Sequence, residues 1–284
     1  MRGRLLLLLL SACAASPAET ACDPPEGWRA VAEAAEGGYL IVGETHGSAE
    51  TPRAFGEYVC SAAGQGGRTL VGLELSPRHQ AALDAARQAS DPEAVLIDGM
   101  RDHWSAPDGR SSRAMLDLIV RLSSLDGVHV HAFDAPLDLS RFATSGDAQA
   151  WYDSLTTGQA QQMRAERMRD SLRDAFDGYD RAIVLAGNIH AAKAPFSFLD
   201  GADNMAMLLP GDPITLVDRH DAGEMWNVIT SDGIGRANPA GVNRQGVPEG
   251  SGLPGMALTD AMSPRYDGYL YVGPVTASPP AITP

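Results

Sequence analysis

The chain of 284 residues is poor in cysteine and in positive charge. It holds three cysteines and no C-x-x-C pair. That excludes a disulfide scaffold and a structural zinc knot. Covalent c-type haem is excluded too, because it needs C-x-x-C-H. Lys and Arg total 22 against 36 Asp and Glu, a formal net charge of −14. So few cations cannot track a phosphate backbone, which excludes a nucleic-acid binder of that kind. The same surplus of acid opposes docking on an anionic membrane. The leucine run Leu5–Leu10 is far short of the roughly 20 apolar residues that span a bilayer. There is no solenoid repeat. What is present is 44% hydrophobic residues, enough for a substantial core. The length fits one large domain or two small ones.

The amino terminus reads as an address. Arg2 and Arg4 precede the six leucines, and small residues follow. This is the pattern of a bacterial export signal. Leu10-Ser11-Ala12-Cys13 is similar to a lipobox, in which Cys13 carries lipid and becomes the first residue. The alternative is ordinary cleavage near Ala18. The expected location is therefore the cell envelope, as an outer-membrane lipoprotein held by its lipid alone, or the soluble periplasm. Residues 1–27 are leader and tether. Residues 28–276 are one α/β domain whose segment 200–276 is a loop-rich extension. An irregular tail, 277–284, follows. With Cys13 set aside, Cys22 and Cys60 remain. They either form a disulfide, as an oxidising compartment permits, or leave Cys60 buried and Cys22 free.

Four short apolar runs end in glycine or acid: Tyr39–Val42, Thr69–Leu73, Val128–Phe133 and Arg181–Ala186. Such runs read as buried parallel strands. Helical spacing appears over 52–63, 111–125 and 158–176, the last with Met163, Met168, Leu172 and Phe176. Strands alternating with helices predict an α/β fold, a mainly parallel sheet with helices on both faces. Ile214–Val217 and Tyr269–Val272 look like further strands. The Gly/Pro/Asn-rich stretch from Gly233 to Gly255 reads as a surface loop or a lid.

Polar groups follow the ends of the first four strands: Glu44 and His46, Glu74, Asp134, and Asn188 with His190. In open α/β sheets, ligands bind beyond the carboxyl ends of the strands. Two segments share a Gly-x-x-His pattern, Gly43 to His46 and Gly187 to His190. Glycine lets the backbone turn sharply and approach a ligand. Two histidines with carboxylates can hold a metal or activate water.

These residues resemble a superfamily of erythromycin esterases, ChaN-like haem-binding lipoproteins and Tiki/TraB-type proteins. The matching features are GETHG at 43–47, Leu73-Glu74, and GNIHA at 187–191. Arg164 and Met168 match an Arg-x-x-x-Met helix, with Ala165 where an aspartate often follows the arginine. The likeness covers 37–195, with Tyr269–Pro280 as a last strand, and the Glu44-x-His46 spacing is closest to ChaN-like proteins. It implies divided outcomes. Esterase members activate water with histidine and glutamate. Tiki-type members use a divalent metal. ChaN-like members bind haem for iron uptake through a tyrosine, for which no counterpart is found here.

The expected catalytic residues are Glu44, His46, Glu74 and His190, with His46, Glu74 and His190 as the ligands if a divalent metal is used. Arg164, Asp134 and Asn188 are expected to bind substrate, a small molecule or peptide. The expected activity is water-activating hydrolysis; haem binding is the alternative. Other readings stand beside these. Glu44 and His46 could form a helix N-cap network. Arg164 could orient Glu74 rather than meet substrate. Asp108 and Arg113 in DGRSSR could cap a helix. His129 and His131 share a strand face and are expected against a helix. His103-Trp104 is expected at a pocket rim, and His79 and His220 at the surface.

Overall fold

The computed structural model describes residues 22–282, apart from 138, 141 and 229–233. The expected leader and the lipidated Cys13 lie outside the described residues. In chain order come α1 (Trp28–Ala34), β1 (Tyr39–Glu44), α2 (Glu50–Ala63) and β2 (Thr69–Leu73). Next are α3 (Gln80–Ala86), α4 (Pro92–Gly99), α5 (Arg101–Trp104), α6 (Arg113–Ser123) and β3 (Val128–Ala132). α7 (Ser145–Asp153), α8 (Thr157–Phe176), β4 (Arg181–Gly187), α9 (Asn188–Ala191) and α10 (Met205–Leu208) follow. The chain closes with β5 (Ile214–Arg219), β6 (Gly223–Asn227), β7 (Arg236–Ala240), β8 (Gly255–Leu258) and β9 (Gly268–Tyr271).

Seven strands form one sheet in the order β3-β2-β4-β1-β5-β9-β8. Every pairing is parallel except β8 with β9. β1 is central because YLIV is apolar on both faces, and all six of its residues are buried. Successive side chains of a strand face opposite ways. Leu40 and Val42 pack with Phe55 and Val59 of α2 and Leu118 of α6. Tyr39 and Ile41 pack on the other face with Met168 and Leu172 of α8 and with Met205. The expected α/β class, with a mostly parallel sheet covered by helices, is the fold observed.

Local sequence sets the helix starts. Thr156 and Gln159 form a reciprocal capping box at α8. Ser112 caps α6 by accepting the Met115 N–H. Asp108 and Arg113 therefore do not cap that helix. Arg113 pairs instead with Glu93 and Asp117.

Several other expectations change. Part of the Gly233–Gly255 stretch is β7, which forms a two-stranded antiparallel ribbon with β6. The tail has no regular element, yet it docks: Ala277 and Pro280 bridge to Ser48 and Ser112, and Ser278 Oγ accepts the Ala114 N–H at 3.0 Å. His79 and His220 are buried, not at the surface. His79 packs on the His103 ring, and the His220 backbone is bonded to Asn243. Trp104 is fully buried and donates its indole N–H to the Leu96 carbonyl at 2.9 Å, so it forms no pocket rim. His131 does meet a helix, with Nε2 at 2.9 Å from Ser171 Oγ of α8. Cys22 and Cys60 are disulfide-bonded, tying the segment before α1 to α2.

Candidate active site

β1, β2, β3 and β4 run in parallel, so their carboxyl ends deliver Glu44, Glu74, Asp134 and Asn188 to one edge of the sheet. A cleft of about 490 Å³ opens there, lined by Glu44, His46, Glu74, Asn188 and His190 with Arg164, Arg110 and Asp108. Asp134 lies just beneath it, joined to Arg164.

Both glycines of the repeated motif lie at close contacts, tightest at Gly43. A Cβ on Gly43 would stand 2.8 Å from the Ala191 Cβ and 3.0 Å from the Asn188 Cα, so glycine lets α9 seat on β1. A Cβ on Gly187 would stand 3.1 Å from His46 Nε2 and 3.3 Å from Glu74 Oε2.

Glu74 is the hub. Its Oε1 accepts from Arg164 at 2.8 Å and from Arg110 at 3.2 Å. Its Oε2 accepts the Gly187 N–H at 2.6 Å. Arg164 also makes a bidentate pair with Asp134, at 3.0 and 2.7 Å. Arg110 is held on its other side by Asp108, at 3.0 and 2.7 Å. Burial opposes the charge on Glu74. The nearby histidines and the two guanidinium groups outweigh that and hold its carboxyl far below the usual range. Arg164 thus orients Glu74 while remaining a third exposed to the cleft.

The two histidines differ. His46 Nδ1 lies 2.9 Å from Glu44 Oε1, and its Nε2 lies 3.8 Å from Glu74 Oε2. Its side chain is 23% exposed, against 4% for Glu44. Burial alone would lower the His46 pKa, but the Glu44 carboxylate and its hydrogen bond raise it overall. His190 is buried, with Nε2 3.8 Å from Glu74 Oε1 and Nδ1 3.4 Å from Gln161 Nε2. Burial lowers its pKa, and Glu74 does not compensate. α2 has Ala49 at its N-cap with no side-chain cap, so Glu44 and His46 are not a capping network.

All seven expected site residues therefore meet at this edge. Sequence reasoning missed Arg110 and placed Asp108 on a helix cap. The local signal was the turn Asp108-Gly109-Arg110, where the aspartate side chain accepts the Arg110 N–H at 3.1 Å.

A divalent metal does not fit the expected trio of His46, Glu74 and His190. Both oxygens of Glu74 are already engaged, and two guanidinium groups lie within 3.2 Å of Oε1. A dication there would face two fixed cations. Among the described residues, no group of three or more His, Cys, Asp or Glu side chains is arranged to hold a metal ion. Tyr266 donates its hydroxyl to the Asn188 carbonyl at 2.9 Å.

The fold and this edge define an α/β protein with a carboxylate–histidine cleft at the strand ends. Solved structures share that fold. A variant of erythromycin esterase EreC in its open conformation superposes with TM-score 0.61 at 12% identity, covering 90% of this chain and 95% of that one. A succinoglycan biosynthesis protein gives 0.58 at 13% identity, covering 85% and 88%. A Bacillus cereus protein gives 0.54 at 12% identity, covering 87% and 90%. These likenesses are of fold, and they agree with the superfamily that the motifs resemble. No family model and no curated protein matches the chain.

Proposed function

We propose that this chain is a hydrolase of carbonyl esters or lactones in which His46, oriented by Glu44, activates water. The observation that carries the reading is the 2.9 Å Glu44–His46 hydrogen bond beneath a ring whose other nitrogen borders an open cleft. Glu44 fixes the ring and stabilises the imidazolium. Nε2 takes a proton from water as the water oxygen bonds to the carbonyl carbon. The carbonyl oxygen gains negative charge. When the tetrahedral species collapses, the carbon–oxygen bond to the leaving group breaks and His46 returns the proton to it. A base with a pKa near the working pH suits both transfers.

Glu74 accepts from three donors and its carboxyl is held far below the usual range, so it is a poor base and positions Arg110 and Arg164. Those guanidinium groups, each about a third exposed, face the developing charge. Asn188 borders the same space. No step here needs a metal. The proposal includes export, because the Cys22–Cys60 disulfide suits an oxidising compartment, with Cys13 as the lipid attachment point.

The test is a panel of p-nitrophenyl esters and aliphatic lactones, run on the disulfide-intact protein with and without EDTA. Turnover that resists the chelator and is lost in His46→Ala supports the reading. Stoichiometric haem binding that survives His46→Ala and His190→Ala, with no ester turnover, overturns it. For the anchor, Cys13→Ser should release the protein from the membrane fraction.

A further inference from the structure

Asp218 lies on β5 one residue beyond Val217, which pairs with Gly43 of β1. Its side chain is completely buried. Oδ2 accepts the Thr45 N–H at 2.9 Å. Oδ1 has no hydrogen-bond partner among the described residues. The chemistry proposed above does not use this group.

A buried carboxyl with an orphaned oxygen is costly. A neutral acceptor would serve the Thr45 amide without that cost. Local rules are broken in this way chiefly where a site requires it. Thr45 is the residue between Glu44 and His46. β1 ends at Glu44, and side chains two residues apart on an extended chain share a face, which brings His46 Nδ1 to the Glu44 carboxylate. The Thr45 N–H lies between those two residues, and Asp218 holds it from the neighbouring strand.

We propose that Asp218 is a positioning residue for the His46 base: by anchoring the Thr45 amide it keeps the Glu44–His46 hydrogen bond in line. This rests on the hydrolase reading for its purpose, though not for its geometry. The charged and titratable groups acting on Asp218 are Glu44 from β1, Arg219 from β5, His220 just after it, and Tyr266 from the loop before β9. Those acting on His46 are Glu44, Glu74 and Arg110. Burial and the Glu44 carboxylate push the Asp218 pKa up to about 6. A proton on the unpartnered Oδ1 leaves Oδ2 free to accept from Thr45, so the anchor holds in both protonation states.

The experiment compares the disulfide-intact wild type with Asp218→Asn and Asp218→Leu. It reads three quantities: exchange of the Thr45 amide, the His46 ring Nδ1–H resonance in 15N-labelled protein, and kcat against KM for the best ester of the panel. Asparagine keeps an acceptor at the Oδ2 position. It should retain both signals and reduce kcat no more than about threefold. Leucine has no acceptor. It should speed Thr45 exchange, abolish the ring resonance and lower kcat by about 10- to 100-fold with KM little changed, the size expected for a misplaced reacting group. Retention of the ring resonance and turnover in Asp218→Leu overturns the proposal. So does loss of both in a folded Asp218→Asn, which decides the matter if the leucine variant does not fold. If the wild type turns over no ester, the hydrolase reading fails. The ring resonance still decides whether Asp218 positions His46.

Discussion

Replacing Asp218 by asparagine should change stability in a pH-dependent way: against a constant cost for burying an amide NH2 where Oδ1 has no partner among the described residues, the variant gains on the wild type as the pH rises. The folded chain raises this carboxyl from an ordinary 3.8 to about 6, first through burial and then through Glu44. A raised acid pKa means that the folded state binds the proton more tightly than the unfolded state. Stability is therefore lost as pH climbs from the unfolded value to the folded one, and the whole penalty is present above it. Two pH units correspond to about 3 kcal/mol at pH 7.5 and to only about 0.5 kcal/mol at pH 4. Asparagine does not titrate, so the gap between variant and wild type should widen by about 2–3 kcal/mol across that range. For a domain of this size that amounts to a Tm difference growing by about 5–10 °C. The assay is thermal unfolding of both proteins at pH 4, 5, 6 and 7.5, with the disulfide intact. Groups remote from Asp218 titrate alike in both proteins and cancel in the difference; Glu44 and His220, which act on it, titrate differently in the variant and contribute to the gap. Parallel Tm curves would refute the reasoning, since Asp218 would then have an ordinary pKa in the fold.

Further outcomes follow from the cleft. His46→Ala should lower kcat by about 10²-fold or more and also lower the unfolding midpoint, because it leaves the buried Glu44 carboxylate without its partner; ester turnover and urea unfolding on the same preparation check it. The base works deprotonated and its pKa is raised, so kcat/KM should climb with pH through a midpoint above the ordinary histidine value of 6.5. Glu44→Gln should move that midpoint down. Glu74→Gln leaves Arg110 and Arg164 beside a neutral group and should cost about 3 kcal/mol in urea unfolding, the lower end for breaking a buried pair because both arginines are partly exposed. Reducing Cys22–Cys60, 38 residues apart, should cost about 4 kcal/mol on the loop-entropy account, read as a fall in the urea midpoint.

The strands of the sheet were legible because burial on both faces writes itself as an unbroken apolar run, as in Tyr39–Val42. The site was legible because parallel strands must deliver their carboxyl ends to one edge, and those ends carried polar residues. What was not legible lies off the strands. Arg110 sits in a turn with no periodicity, and its role depends on reaching Glu74, 36 residues earlier. His79 and His220 read as surface residues because neither belongs to an apolar face. They are buried because ring and backbone contacts from distant segments close over them. Asp218 was invisible for a related reason. An acid at the end of an apolar strand looks like any strand terminus until the neighbouring strand shows which amide it holds.

The repeated Gly-x-x-His motif makes the limit concrete. Both copies follow a strand, and both glycines lie at close contacts. By sequence the two histidines are equivalent. In the fold, the glutamate at the second position of the first copy ends β1, and its carboxylate bonds the ring at Nδ1. β4 places Asn188 at that position in the second copy, and the nearest carboxylate, Glu74, stays at 3.8 Å while its charge is drawn toward Arg164 and Arg110. One histidine is pushed up and the other down. Neighbouring groups whose pKa values are driven apart are the physical signature of divided acid–base roles. Burial lowers His190 and no carboxylate among the described residues bonds its ring, whereas His46 has one at 2.9 Å, and on the proposed reading that contrast favours His46 as the base.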